Sequence, residues 1–183
     1  MNESGFKKMF WGFLFVMLGF KIQGFDILPN IVGYLLFASA FSNLNSESTY
    51  FSIAAKYNIP MIILSVFSIY EKPVQVSGVQ FGILGVFTIP IAIASIILNL
   101  LVVYNLFMGI RDMAKKREQP DLVNDSDKMW NQYKMLQIAI LCSFILIFIP
   151  LVGLVYIMVV FVASIVVTIS ILGFINRCSA SLN

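Results

Sequence analysis

Few residues of this chain are of the types that carry out catalysis. It has no histidine, two cysteines (Cys142 and Cys178), and nine acidic residues that all fall in polar stretches or at the ends of apolar runs. The absence of histidine excludes the common zinc sites, serine–histidine nucleophile pairs and histidine-ligated haem. The sequence therefore predicts no catalytic residue, no metal site and no cofactor, and we expect no enzyme activity.

The one concentration of polar groups that suggests binding lies early in the chain. Gln23, Asp26 and Asn30 fall around a glycine between two apolar runs, where they would form polar contacts at an outer mouth. Asp26 also suits a second role, because an aspartate just before a helix caps the exposed N–H groups of its first turn. Both roles require the flanking runs to be helices.

The composition predicts that these helices lie in a membrane. The chain has 183 residues, of which 60% are hydrophobic and 11% are charged, whereas ordinary soluble domains are about 25% charged. A lipid bilayer removes the need for a polar surface, and backbone groups within it must bond internally. Each spanning run is then a helix of about 20 residues.

Six apolar runs predict an all-α, polytopic transmembrane helical bundle, formed by a single integral membrane domain over residues 1–183. A polar stretch at 111–128 is expected to be a cytoplasmic linker, because Pro120 stops a helix that continues from Arg111. Pro150 and Gly153 indicate a tight turn, and the alternative is a kink in one longer helix, which would leave five spans. The expected helices cover about 6–23, 27–44, 49–70, 81–110, 129–149 and 154–175.

The basic residues predict which way the bundle faces. With six spans, ten of the twelve lysines and arginines share one side, and Lys21 and Lys72 are left on the other. Basic residues concentrate on the cytoplasmic side of membrane proteins, so both termini are expected in the cytoplasm and the protein in the plasma membrane. The ten residues are Lys7, Lys8, Lys56, Arg111, Lys115, Lys116, Arg117, Lys128, Lys134 and Arg177.

Small and polar residues within the runs predict how the helices pack. Gly5, Gly12 and Gly19 recur every seven residues, a spacing that gives a helix-packing face on which another helix can approach closely. Asn99 and Asn105 are expected to make hydrogen bonds between helices. Trp130 and Tyr133, flanked by lysines, are expected in an aromatic belt at the membrane surface.

The stretch GFDILPNIVGY, from Gly24 to Tyr34, resembles a group of small multi-pass membrane proteins of Gram-positive bacteria. Its members carry a DILPxxxGY-type stretch after the first apolar run, and Asn30 stands where an acidic residue is common in them. The resemblance continues through YNLFMGIRDMA at Tyr104–Ala114. Because the group has no assigned activity, the likeness implies a bacterial plasma membrane and no particular reaction.

Three functions follow as hypotheses. The first is a non-enzymatic accessory or regulatory subunit that acts through helix–helix and cytoplasmic contacts, with the lipid bilayer and a membrane-protein partner or a second copy around it, and no nucleic acid. The second is a small-molecule-binding subunit of a membrane transport system, which resembles the capture subunits of energy-coupling-factor vitamin transporters in architecture alone. The third, a lipid-modifying enzyme, would depend on Arg111 and Asp112.

Overall fold

The computed structural model describes residues 2–17, 21–22, 25–26, 30–68, 83–146 and 148–182. Within them the chain forms a bundle of six α-helices, which confirms the all-α fold. Two strands of two residues each, β1 (Lys21–Ile22) and β2 (Phe25–Asp26), pair antiparallel after the first helix. The helices are α1 (Asn2–Met17), α2 (Asn30–Leu44), α3 (Thr49–Ser68), α4 (Ile83–Lys116), α5 (Pro120–Leu146) and α6 (Pro150–Ser181).

Each helix packs against its neighbour in sequence, and α6 packs back against α1, so the six form a closed ring. Neighbouring helices run antiparallel, as Phe51 of α3 shows by lying against Gly109 near the end of α4. Both described chain ends, the α2–α3 turn and the α4–α5 turn therefore meet at one end of the ring. We call this the charged end, and the opposite one the far end.

Aromatic side chains fill the ring near the charged end. The ring of Phe13 in α1 lies 5.7 Å from that of Phe37 in α2, 6.2 Å from Phe107 in α4 and 6.0 Å from Tyr133 in α5, measured between centroids. Phe107 in turn lies 6.2 Å from Phe174 in α6. One buried side chain thus contacts three other helices, and aromatic pairs of this kind add attraction beyond their buried area.

The expectation of a linker between helices at 111–128 is wrong, because most of these residues are helical. The helix α4 continues to Lys116 and α5 begins at Pro120, which leaves three residues for the turn. Glu118 takes a positive φ of 54°, while the N–H of Gln119 bonds to the carbonyl of Ala114, the pattern that closes many helix C-termini. Pro120 starts the next helix rather than interrupting one, since the first turn needs no N–H from it.

The boundary near Pro150 also differs from the expectation. The helix α6 begins at Pro150, so Gly153 lies in its first turn and donates its N–H to the carbonyl of Ile149. The hydroxyl of Tyr156 reaches the carbonyl of Ala139 in α5 at 3.1 Å, which places the two helices side by side. They are therefore two antiparallel helices and not one kinked passage, and the turn precedes Pro150.

The far halves of α4, α5 and α6 are poorly covered by the rest of the bundle. On α4 every residue over 90–94 is exposed, and five consecutive residues pass around all faces of a helix. Phe148 is 84% exposed and Leu151 of α6 is 82% exposed. Among the described residues, side chains are thus packed at the charged end and largely exposed on the far halves of α4, α5 and α6.

Two segments among the described residues are long and apolar enough to cross a membrane. They are Pro90–Lys116 within α4 and Pro150–Ser181, which is α6. The expectations for residues 18–20, 23–24, 27–29 and 69–82 lie outside the described residues.

Candidate functional site

The charged end is closed by polar contacts centred on Glu47 in the α2–α3 turn. Its carboxylate accepts a hydrogen bond from Asn2 Nδ2 at 3.1 Å and lies 3.5 Å from Arg117 Nη2. Asn2 also donates to the carbonyl of Leu182 at 3.3 Å. Glu47 therefore connects the start of α1, the α4–α5 turn and, through Asn2, the C-terminal end of α6.

Beside Glu47, a second group of contacts joins α3 to α4. The buried hydroxyl of Ser48 hydrogen-bonds Asp112 and accepts a bond from the N–H of Tyr50 at 3.4 Å, which makes Ser48 the N-terminal cap of α3. Lys116 lies 3.1 Å from Asp112 and also donates to the carbonyl of Glu47. We call Asn2, Glu47, Ser48, Asp112, Lys116 and Arg117 together the polar clasp.

Two further ion pairs tie α5 to its neighbours. Arg111 Nε lies 3.0 Å from Asp127 Oδ2, and Arg177 Nη2 lies 2.9 Å from Asp125 Oδ2. Arg111 and Asp112, on which a lipid-modifying enzyme would depend, are thus engaged with protein groups. Within the described residues, no group of three or more Asp, Glu or Cys side chains is placed to hold a metal ion.

Glu3 and Lys7 form an ion pair along the solvent-exposed side of α1. The hydrogen bond from Lys7 lowers the pKa of the Glu3 carboxyl, because it favours the charged form. Among the described residues this ion pair joins two positions of the same helix, so Glu3 is a suitable control for the polar clasp.

Of the predicted packing face, Gly5 and Gly12 lie against α2 of the same chain. A Cβ on Gly5 would meet Leu44 Cγ at 2.8 Å, and one on Gly12 would meet Phe37 Cδ1 at 2.7 Å. Gly33 of α2 is equally close from the other side, since a Cβ there would lie 2.9 Å from the carbonyl oxygen of Gly12. Gly5 and Gly12 are therefore occupied within the bundle, and Gly19 lies outside the described residues.

Of the three residues of the predicted outer mouth, the structure describes the side chain of Asn30 alone. Gln23 lies outside the described residues, and Asp26 belongs to β2, where its backbone pairs with Lys21. Asn30 begins the described part of α2, and its side-chain oxygen Oδ1 is buried without a hydrogen-bond partner.

Polar side chains also lie inside the ring, and the sequence analysis did not single out Asn58 among them. Asn58 of α3 is fully buried and donates from Nδ2 to the carbonyl of Tyr34 at 2.7 Å. The hydroxyl of Tyr133 reaches Asn99 Oδ1 at 3.3 Å and also hydrogen-bonds Gln137. We call Tyr34, Asn58, Asn99 and Tyr133 the interior polar cluster.

Three of the sequence expectations concern Asn99, Asn105 and Tyr133. The hydrogen bond between helices expected for Asn99 is confirmed. The one expected for Asn105 is wrong, because its amide bonds to the carbonyl of Leu101 in its own helix at 2.7 Å. Tyr133 is 1% exposed, so its assignment to a surface belt is also wrong, since Phe13 packs on its ring.

The described structure defines a class, that of helical bundles with two helices long and apolar enough for a membrane. Comparison of the chain with protein-family models, curated proteins and solved structures gave no match.

Proposed function

We propose that this chain is a multi-pass integral membrane protein of the plasma membrane, with six spans, that acts without catalysis as an accessory or regulatory subunit. The observation that carries the proposal is the uncovered apolar surface of the far halves of α4, α5 and α6. Ile93, Ile145, Leu154 and Val162 are each more than half exposed. Soluble monomers rarely expose continuous apolar patches of more than a few hundred Å², whereas lipid tails or another membrane helix would cover this one.

The charged end gives the proposed orientation. It carries the polar clasp and the ion pairs of α5, and by the positive-inside rule it faces the cytoplasm. The six-helix ring then has both termini inside. The length of α4 agrees with this arrangement, because its 34 residues extend to about 51 Å at 1.5 Å per residue, enough to cross the hydrocarbon and project beyond it.

Cysteine accessibility in intact cells tests the membrane topology. In a chain with Cys142→Ala and Cys178→Ala, single cysteines replace Asn45 in the α2–α3 turn, the exposed Ala180 near the C-terminus, or Lys21 at the far end. We expect the protein to stay in the membrane after alkaline carbonate extraction. A membrane-impermeant maleimide should label only the Lys21→Cys variant until the cells are opened.

Each other outcome of that test is informative. Labelling of Ala180→Cys but not of Asn45→Cys in intact cells would mean an odd number of spans between them, against the six-span scheme. Release of the chain by carbonate would contradict membrane insertion altogether.

The accessory role is supported by how the polar residues are used. The charged side chains of the polar clasp contact one another and backbone carbonyls, which holds helices rather than presenting a reactive group. Gly5 and Gly12 of the predicted packing face of α1 lie against α2. Contact with a partner would therefore use the uncovered far halves of α4, α5 and α6 instead. Native mass spectrometry after gentle detergent extraction should detect a second copy, another membrane protein or retained lipid, and a bare monomer would contradict the proposal.

The second hypothesis, a small-molecule-binding subunit, is favoured by one specific observation. The amide oxygens of Asn30 and Asn58 are buried without partners, and such oxygens are costly unless a donor reaches them. Vitamin-capture subunits pack a small-residue face of their first helix against a transducer protein, whereas Gly5 and Gly12 of this chain lie against its own α2. Binding of a small molecule is therefore retained, and docking on a transducer through α1 is not.

A further inference from the structure

We propose that a cleft between α3 and α4 at the charged end binds the phosphate group of an anionic phospholipid. The inference rests on the proposed function, in which this end of the bundle lies at the cytoplasmic face of the plasma membrane. The lipid would be held there by contacts alone, without any reaction.

The cleft is a cavity of about 90 Å³ whose lining residues all lie in the described part of the chain. Tyr50 of α3 forms one side of it, and the other side is formed by Met108, Arg111, Asp112 and Lys115 of α4. Lys115 is exposed and Tyr50 is partly exposed, so the cleft opens on the outer surface of the bundle. Because a polar cavity needs only roughly 10–15 Å³ to hold one water, this one has room for a group of several atoms such as a phosphate.

Two cationic side chains in the cleft favour an anion. Arg111 and Lys115 are one turn of α4 apart, which places them on the same side of the helix, and both line the cavity. Among the residues that the structure describes, no carboxylate lies within ion-pair distance of Lys115. The buried Nε of Arg111 lies 3.0 Å from Asp127 Oδ2 but makes no hydrogen bond with it. A phosphate suits both side chains, since arginine and lysine are the residues that most often bind phosphate through charged donors.

The acidic side chain of the cleft is already engaged. Asp112 accepts a hydrogen bond from Ser48 and lies 3.1 Å from Lys116. A second cation would therefore compete with Lys116 for this carboxylate, so the cationic part of a zwitterionic headgroup gains little here. We accordingly expect a headgroup with a net negative charge to bind more tightly than a zwitterionic one.

The same side of α4 becomes apolar towards the far end, which favours a lipid over a free phosphate. Met108 and Tyr104 precede Arg111 by three and seven residues, a spacing that keeps them on its side of the helix. Tyr104 is 38% exposed, and its ring centroid lies 5.1 Å from that of Trp130 in α5, an aromatic pair of the kind found at membrane–water interfaces. A lipid with its phosphate at Arg111 would extend its acyl chain over Met108 and Tyr104. Basic pockets between membrane helices on the cytoplasmic side bind anionic headgroups in this way.

A titration of the full-length chain in detergent micelles tests the ligand class. The probes are dioctanoyl phosphatidylglycerol, which has a net negative charge, dioctanoyl phosphatidylcholine, which is zwitterionic with the same chains, and inorganic phosphate. We expect phosphatidylglycerol to raise the midpoint of thermal unfolding at lower concentration than either of the others. An equal effect of phosphatidylcholine would overturn the preference for an anionic headgroup, and an equal effect of inorganic phosphate would assign the cleft to a soluble phosphate instead. No effect of phosphatidylglycerol would overturn the site.

Variants locate the effect. Lys115→Gln should weaken the apparent affinity for phosphatidylglycerol about two- to fivefold, as expected for one exposed charge contact. Arg111→Lys, which keeps the charge but loses the planar fork of donors, should also weaken it. Lys128→Gln is the matched control, because it removes an equal charge from an exposed position of α5 that does not line the cleft, and it should leave the affinity unchanged.

The comparison of the two lysine variants decides between the cleft and the overall charge. If Lys128→Gln weakens binding as much as Lys115→Gln does, the lipid responds to net charge alone and the site is refuted. Both lysines are exposed, so this comparison does not depend on whether Arg111→Lys folds. The carbonate extraction and the cysteine test above report separately on membrane insertion, so an inserted chain without any preference for phosphatidylglycerol would refute the cleft and leave the proposed topology standing.

Discussion

Replacement of Gly12 by alanine should drive α1 and α2 apart. The new Cβ would lie 2.7 Å from Phe37 Cδ1 and 3.0 Å from the backbone oxygen of Gly33, whereas carbon atoms in ordinary contact are about 3.5–4.0 Å apart. Phe37 has no room to yield, because it is fully buried between Phe13 and Phe41. The helices themselves must therefore separate by roughly 1 Å for the contact to reach its ordinary distance.

Gly173→Ala is the matched control for this change. A Cβ on Gly173 in α6 would meet nothing within 4 Å. Both substitutions gain helix propensity, up to about 1 kcal/mol each, so this gain cancels in the difference between the two variants. What remains is the cost of overpacking at Gly12, and we expect Gly12→Ala to be less stable than Gly173→Ala by about 1–3 kcal/mol.

Reversible unfolding in mixed micelles, followed by circular dichroism across an SDS titration, measures this difference. A second substitution tests its cause, because Phe37→Leu removes the ring carbon that the new Cβ would meet. Gly12→Ala should therefore cost less in the Phe37→Leu background than in the natural chain. Equal stability of Gly12→Ala and Gly173→Ala would refute the close approach of α1 and α2.

Three further predictions concern the polar groups. Glu47→Gln should lower the stability by about 0.2–1 kcal/mol, as expected for a partly exposed ion pair, and this loss should shrink in high salt. The control Glu3→Gln should leave thermal unfolding unchanged. A loss of stability that does not depend on salt would contradict an electrostatic role for Glu47. Ser48→Ala should cost about 1–2 kcal/mol in the same unfolding assay, because α3 loses its N-terminal cap. Ser46→Ala, at an exposed position of the same turn, is the neutral control. Equal stability of the two variants would contradict the cap. Tyr133→Phe should cost about 0.6 kcal/mol of stability, the value of a typical hydrogen bond between membrane helices. Tyr133→Ala should cost about 3–5 kcal/mol, because it also leaves a cavity. Similar losses for both variants would mean that the ring of Tyr133 is not packed.

The sequence predicted the number of helices because the apolar runs are separated by polar residues and prolines, which are visible without the structure. It failed at the α4–α5 turn, where polarity suggested a linker. Asp125 and Asp127 lie in α5, and their carboxylates pair with arginines on the adjacent helices, tertiary contacts that local composition does not contain. Tyr133 was assigned to a surface belt from its lysine neighbours, although the spacing of Leu122, Ser126, Met129, Tyr133 and Leu136 already marks one buried face.

The described parts of the two ends of the ring differ in how well their apolar side chains are covered. At the charged end, the clasp carboxylates have partners and the aromatic core is closed. Towards the far end, α4 and α6 are uncovered, and the amide oxygens of Asn30 and Asn58 lack donors. Since unsatisfied buried polar groups and exposed apolar surfaces are both unfavourable in isolation, the far half is the part of the molecule that another molecule would complete. Substitutions there should change what the protein binds, whereas substitutions in the polar clasp should change only how stably it is folded.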